Sequence, residues 1–243
     1  MYEFKERVRY SETDENEQAT ILSVVNALQD CSTFHSTEVG LTVDRLREMK
    51  RAWLLSYWDI YIDRMPRLCE RITIGTSPHA YRGVLAHRNF WIKDEAGAYL
   101  LRADSLWFCY DTERMRPTKI TEDMLMPFGE MQDVLGLPSS ERRIAEPQER
   151  TEAPSILVQP HHIDSNHHVN NAQYIALADE VLTQQRGDAQ HFRAGRIRAE
   201  YRKSAVLGDT MIPKYGASEE GGIVVSLQSP EGEVYCNVEF IQK

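Results

Sequence analysis

An internal repeat constrains the fold of this chain more than any other feature. The run Asp14-Glu15-Asn16-Glu17-Gln18 is matched by Asp164-Ser165-Asn166-His167-His168, with Asp and Asn in register at an offset of 150 positions. Each run lies where a β-patterned segment gives way to a helical one. A copied junction implies a copied unit around it, so the fold must be assembled from two like parts. The 243 residues are enough for two compact domains of ordinary size.

The order of elements repeats as well. In the first half, Glu3–Tyr10 alternates as a strand. Thr20–Glu38 then places Ile21, Val24, Val25, Leu28 and Cys31 at helical spacing, with Gly40 as a stop. Four β-rich runs follow, Ala52–Ile62, Arg71–Ser77, Val84–Lys93 and Tyr99–Tyr110, and Asp94-Glu95-Ala96-Gly97 marks a hairpin turn between the last two. In the second half, Ile156–His162 reads as a strand and Asn170–Gln185 as a helix with Tyr174, Ala178, Val181 and Leu182 on one face. Strands are then expected at Gly195–Lys203, Thr210–Ala217, Gly222–Gln228 and Val234–Ile241. The stretch between the halves, rich in Glu, Arg, Pro and Ser, reads as a linker.

Two βαββββ units imply an α+β chain of two tandem hot-dog domains, each a long helix wrapped by an antiparallel β-sheet. The expected boundaries are 1–128 for the first domain, 129–154 for the linker and 155–243 for the second domain. A single unit would expose a sheet edge, and pairing the two copies edge to edge would cover it. The chain is thus expected to be an internal pseudo-dimer, which leaves room for a homodimer as well.

Charge and composition narrow the function classes. The net charge of −9 argues against nucleic acid as a partner. No apolar run approaches the roughly 18 residues that cross a bilayer, and the charged start lacks the pattern of a signal peptide, so the expected address is the cytoplasm. Cys31, Cys69, Cys109 and Cys236 are widely spaced, which fits reduced thiols rather than a metal or disulfide motif.

The chemistry concentrates at the second junction. Asp164, Asn166 and His168 alternate, so an extended backbone would turn all three to one side. The helix after them begins near Asn170-Asn171, and its first N–H groups and dipole suit a developing oxyanion. His168 is placed to activate a water, with Asp164 or Asn166 orienting it or the substrate. The same residue types also serve as plain caps and turn formers. His161, His162, His167 and His168 suggest a metal site. However, adjacent strand residues point to opposite faces, and no carboxylate or Cys spacing supports a four-ligand cage. Gln18 occupies the position of His168 in the first copy and cannot act as acid or base, so a single active site per chain is expected.

The run His168-Val169-Asn170-Asn171-Ala172-Gln173-Tyr174, preceded by Asp164 and Asn166, resembles the HVNNxxY signature of the acyl-ACP thioesterases. Tyr10-Ser11-Glu12-Thr13-Asp14, Ala52-Trp53-Leu54-Leu55-Ser56 and Glu200-Tyr201-Arg202-Lys203 are similar to that family too, in the family's order. The resemblance implies hydrolysis of acyl-ACP to free fatty acid and carrier, with no metal and no bound cofactor. It places the catalytic Asp, Asn and His on Asp164, Asn166 and His168. With Gln18 in place of a histidine, the first domain is expected mainly to shape an acyl tunnel, which Trp53, Tyr57, Trp58, Phe90 and Trp107 could line or close where they do not serve ordinary packing.

One departure stands out. Plant members carry an acidic residue and a cysteine directly after the EYRR run, where this chain has Ser204 and Ala205. A cysteine nucleophile there is excluded, and the expected carboxylate is missing. Glu200, about 13 Å away at strand rise, is expected to pair with an arginine instead.

The partner implied is an acidic carrier protein bearing an acyl-phosphopantetheine thioester. Arg193, Arg196, Arg198, Arg202 and Lys203 form a local basic excess that could dock it. The rival readings are an acyl-CoA thioesterase of the hot-dog superfamily, a hydratase on the same fold, and a non-catalytic acyl-binding module.

Overall fold

The computed structural model describes residues 1–186 and 194–242. The chain separates into two compact units, Met1–Ser56 with Ile62–Ser139, and Tyr57–Tyr61 with Ser140–Lys243. Each has the α+β hot-dog layout, a long helix laid on an antiparallel sheet.

In the first unit, β1 (Tyr2–Arg7) leads through a 3₁₀ turn at Tyr10–Glu12 to α1 (Ile21–Glu38). Thr20 caps α1, its hydroxyl accepting the Ser23 N–H at 3.2 Å. The buried stripe of α1 is Val24, Val25, Leu28, Cys31 and His35, the face that the residue periodicity predicts. It packs on β3 (Arg71–Arg82), which continues into β4 (Leu85–Lys93) and β5 (Tyr99–Asp111). The strand order β1-β3-β4-β5 is antiparallel throughout. Gly75 in β3 shows how closely the side chains of neighbouring strands crowd one another. A Cβ there would lie 2.1 Å from the indole of Trp91, and that indole donates to Glu3 Oε1 at 2.7 Å. A one-turn helix α2 (Val43–Glu48) precedes β2 (Arg51–Ile62). After β5 come β6 (Arg116–Pro117) and the short α3 (Glu122–Leu125).

In the second unit, β7 (Thr151–Glu152) and β8 (Ile156–Leu157) precede α4 (Asn171–Arg186), β9 (Ala194–Tyr201), β10 (Thr210–Ala217), β11 (Ile223–Gln228) and β12 (Val234–Gln242). The sheet runs from Tyr57–Tyr61 through β9, β12, β11 and β10 to β7, again antiparallel. α4 lies against β11 and β12, burying Ala172, Tyr174, Ile175, Ala178, Val181 and Leu182.

Two local expectations are corrected. The segment Ile156–His162 is a strand only at Ile156–Leu157, and Pro160–His162 forms a 3₁₀ turn. Pro160 lacks the N–H that a ladder needs and suits the first position of such a turn. The stretch between the halves is also packed at its far end. Ile144 is buried, its N–H donates to Glu200 Oε2 at 3.0 Å, and its C=O accepts from Asn237 Nδ2 at 3.0 Å.

All four cysteines are free, and three of them, Cys31, Cys109 and Cys236, are buried. Among the described residues no helix is long and apolar enough to cross a membrane.

Candidate active site

The backbone frame of the junction is repeated in both copies, and in the first the Asp14 carboxylate also accepts the Gln18 N–H at 3.0 Å. In the first copy, Asp14 N–H donates to the Gln18 C=O at 2.8 Å, Glu17 N–H to the Asp14 C=O at 3.1 Å, and Thr20 N–H to the Glu12 C=O at 2.9 Å. In the second copy, Asp164 N–H donates to the His168 C=O at 2.9 Å, His167 N–H to the Asp164 C=O at 3.0 Å, and Asn170 N–H to the His162 C=O at 2.8 Å. Asp14 Oδ1 accepts the Asn16 N–H and Asp164 Oδ1 accepts the Asn166 N–H, each at 2.8 Å. Isolated antiparallel bridges close both loops, Thr13 to Ala19 and Ile163 to Val169. Both loops contain a residue with positive φ, Glu17 at 58° and His167 at 63°, a conformation that costs an L-residue roughly 1 kcal/mol or more.

Residues 164–168 are therefore a tight turn, and the expectation of an extended, alternating segment is corrected. The cause is Asp164 itself. Its carboxylate folds the next two residues into an Asx turn, as Asp14 does at the other site. The turn projects His168 and Asn166 outward. His168 is half-buried and Asn166 exposed. Among the described residues neither side chain has a hydrogen-bond partner, so both reach solvent with their polar atoms available.

The start of α4 is more occupied than the sequence implies. Asn170 Oδ1 accepts the Ala172 N–H at 2.8 Å, and the Asn170 C=O accepts the Gln173 N–H at 2.9 Å. Asn170 thus satisfies two donors of the first turn, which narrows the set that an oxyanion could use.

Two tyrosines brace this end of α4. The Tyr201 hydroxyl donates to the Asn171 C=O at 2.9 Å. The Tyr174 hydroxyl accepts the Ala205 N–H at 2.8 Å, and the Ala205 C=O accepts the Val169 N–H at 2.9 Å. The two rings meet edge to face at 5.8 Å, and burial pushes both phenols above their ordinary range. Tyr174, Ala205 and Val169 thus form a closed clamp between the 204–209 loop and the candidate site. Ser204 is exposed and Ala205 is buried. Glu200 is held by Arg202 at 3.0 Å and by the Ile144 N–H, in line with the expected arginine partner.

His162 is buried, and its Nδ1 accepts the Gln159 N–H at 3.0 Å. Burial and then the neighbouring His161 lower its basicity. Among the described residues His161, His162, His167 and His168 do not gather into a metal-ligating group.

The arginines of β9 are drawn into ion pairs, and the docking expectation is corrected for Arg196 and Arg198, whereas Arg202 and Lys203 beyond the strand are paired but exposed. Arg196 makes a two-pronged pair with buried Asp59, with both contacts at 2.8 Å. Buried Arg198 reaches Glu239 at 2.6 Å, Glu220 at 2.9 Å and the Tyr57 hydroxyl at 2.8 Å. Arg202 pairs with Glu200 and Lys203 with Glu233. Arg193 lies outside the described residues. Tyr57 accordingly belongs to this charge network, while Trp58 and Phe90 are fully buried.

Comparison with known proteins follows this geometry. The acyl-ACP thioesterase N-terminal domain family matches residues 1–128 and the acyl-ACP thioesterase C-terminal domain family matches residues 145–241. The chain belongs to the acyl-ACP thioesterase family. It is 26% identical over 243 residues to oleoyl-acyl carrier protein thioesterase 2, chloroplastic, of Arabidopsis thaliana, covering 93% of this chain and 65% of the relative. It is 23% identical to the chloroplastic dodecanoyl-[acyl-carrier-protein] hydrolase of Cinnamomum camphora, covering 89% and 60%. The chain thus spans less than two thirds of the length of these curated relatives. A crystal structure described as an oleoyl thioesterase from Lactobacillus plantarum superposes with a TM-score of 0.87 at 26% identity, covering 98% of this chain and 94% of that one.

Proposed function

We propose that this chain hydrolyses the thioester of acyl-[acyl carrier protein] and releases the free fatty acid. The observation that carries the reading is the second loop. It repeats the scaffold of the first and places an imidazole, His168, where the first has the carboxamide of Gln18.

In the proposed reaction His168 takes a proton from water as the water oxygen attacks the thioester carbonyl. The tetrahedral intermediate collapses with cleavage of the C–S bond, and the imidazolium returns its proton to the leaving phosphopantetheine thiolate. Asn166 orients the substrate through its exposed carboxamide. Asp164 holds the turn that aims both. The chain's own groups account for every proton, so no cofactor is invoked. Family membership and the names of the relatives support acyl-ACP over other thioesters.

The test is hydrolysis of an acyl-ACP chain-length series, with matched acyl-CoAs as controls. Turnover of acyl-ACP at a higher kcat/KM than the matched acyl-CoA is expected. A preference for acyl-CoA would reassign the carrier, and turnover of neither would defeat the reading.

A further inference from the structure

The first unit carries a cluster of metal-ligating side chains that the proposed hydrolysis does not use. His79 on β3, His87 on β4 and Asp104 on β5 meet across three adjacent strands. His79 Nε2 lies 2.7 Å from Asp104 Oδ1, and His87 Nδ1 lies 3.2 Å from Asp104 Oδ2. The imidazole centroids are 5.5 Å apart.

Strand register builds this meeting. Pro78 pairs with Arg88 and Ala80 with His87, so His79 is an extra residue in a β-bulge. A bulge re-aims the side chain it carries, here toward His87. Asp104 lies opposite Asn89, two residues along β4 from His87 and so on the same face. Asn89 supports the carboxylate, its Nδ2 donating to Asp104 Oδ1 at 3.4 Å while its own Oδ1 accepts the Val134 N–H at 3.1 Å.

We propose that this trio is a binding site for a divalent transition ion of the zinc type, held by His79 Nε2, His87 Nδ1 and a carboxylate oxygen of Asp104. The three donor atoms all lie within 4.8 Å of one another. A tetrahedral ion with bonds of roughly 2.0–2.2 Å spaces its ligands about 3.4 Å apart, so small side-chain rotations close the site. Two imidazoles and a carboxylate, without thiolate, suit zinc rather than a softer ion such as copper(I). The side chains are 14%, 25% and 28% exposed for His79, His87 and Asp104, which leaves one side open for water as fourth ligand.

The competing state is a His–Asp–His hydrogen-bonded staple. An ionised carboxylate only accepts, so each ring then donates N–H to it. Metal binding needs those same two nitrogens bare, and each proton moves to the other ring nitrogen or to solvent. The ion and the staple therefore compete for the same atoms.

The test is calorimetric titration of the 243-residue chain, first stripped by a chelator, with Zn²⁺ and with Mg²⁺ as control. One equivalent of Zn²⁺ is expected to bind and to raise Tm. His79→Gln and Asp104→Asn should each weaken binding by about 100-fold or more. A quadruple variant at His161, His162, His167 and His168 should keep it. If the first two variants fail to fold, zinc-edge anomalous diffraction from wild-type crystals grown with Zn²⁺ locates the ion, with a peak about 2 Å from His79 Nε2 expected. No saturable Zn²⁺ binding, binding unchanged in both variants, or a peak elsewhere would overturn the proposal.

Discussion

At Asp14 and again at Asp164 the chain leaves a strand, folds through an Asx turn, passes a residue of positive φ and enters a long helix. The first loop presents Gln18 from this scaffold and the second His168. The shared Asp is thus the residue that shapes the turn, its carboxylate taking the Asn N–H in each copy. For the proposed hydrolysis, the difference that matters is the imidazole of His168 in place of the Gln18 carboxamide. A residue retained in both copies is accounted for by folding first, and Asp164 is better described as a scaffold than as a partner in proton transfer.

The comparison extends to what surrounds each loop. In the second unit the cations of β9 are internal. Asp59 is only 2% exposed and accepts two hydrogen bonds from Arg196, which also reaches Glu220 at 3.4 Å. Arg196→Met, which leaves that buried carboxylate with only the Tyr61 hydroxyl at 3.4 Å, should destabilise the chain by about 3–5 kcal/mol in denaturant unfolding. The double variant with Asp59→Leu should recover much of the loss. A mild Arg196→Met phenotype with weakened carrier binding would instead restore the docking role that the sequence suggests.

The first unit has its own sensitivity. Burial, then Arg88 and the N-terminal amine, push the His35 imidazole from 6.5 down to about 4. The folded chain keeps it neutral while the unfolded chain binds a proton below pH 6.5. Stability should therefore fall as pH drops from 6.5 to about 4 and fall no further from this group below that. The loss is on the order of 3 kcal/mol. His35→Gln should flatten that part of a pH series of unfolding midpoints. An unchanged slope would place the acid sensitivity elsewhere.

The smallest effect bears most closely on the twin loops. Asp14→Ala and Asp164→Ala should each cost about 1–2 kcal/mol, since Asp14 gives up its bonds to the Asn16 and Gln18 N–H groups and Asp164 its bond to the Asn166 N–H. Only Asp164→Ala should also lower kcat, because only its turn aims His168. Equal kinetic effects from both would mean that the first loop contributes to turnover.

Much of this was legible in the residues. The buried stripe of α1 and the turn at Asp94–Gly97 follow from spacing alone, and the copied Asp-x-Asn marked both strand–helix junctions. The misread parts share a physical cause. The alternation of Asp164, Asn166 and His168 suggested an extended backbone, although Asp-x-Asn is equally an Asx-turn signal, and the first copy carries the same one without the histidine. The arginines of β9 looked free because Asp59, Glu220 and Glu239 come from distant positions. The meeting of His79, His87 and Asp104 depends on a bulge and on the register of three strands, which no local window contains. One-turn α2 and two-residue β7 and β8 are too short to show a period.

The most direct test of the single active loop is steady-state hydrolysis of acyl-ACP by His168→Ala beside Gln18→Ala, with unfolding midpoints measured for both. Loss of about 10²–10⁴-fold in kcat for His168→Ala, with Gln18→Ala within about threefold of the parent chain, is the expected result. Near-normal turnover by a folded His168→Ala chain, or an equal loss in Gln18→Ala, would contradict the account.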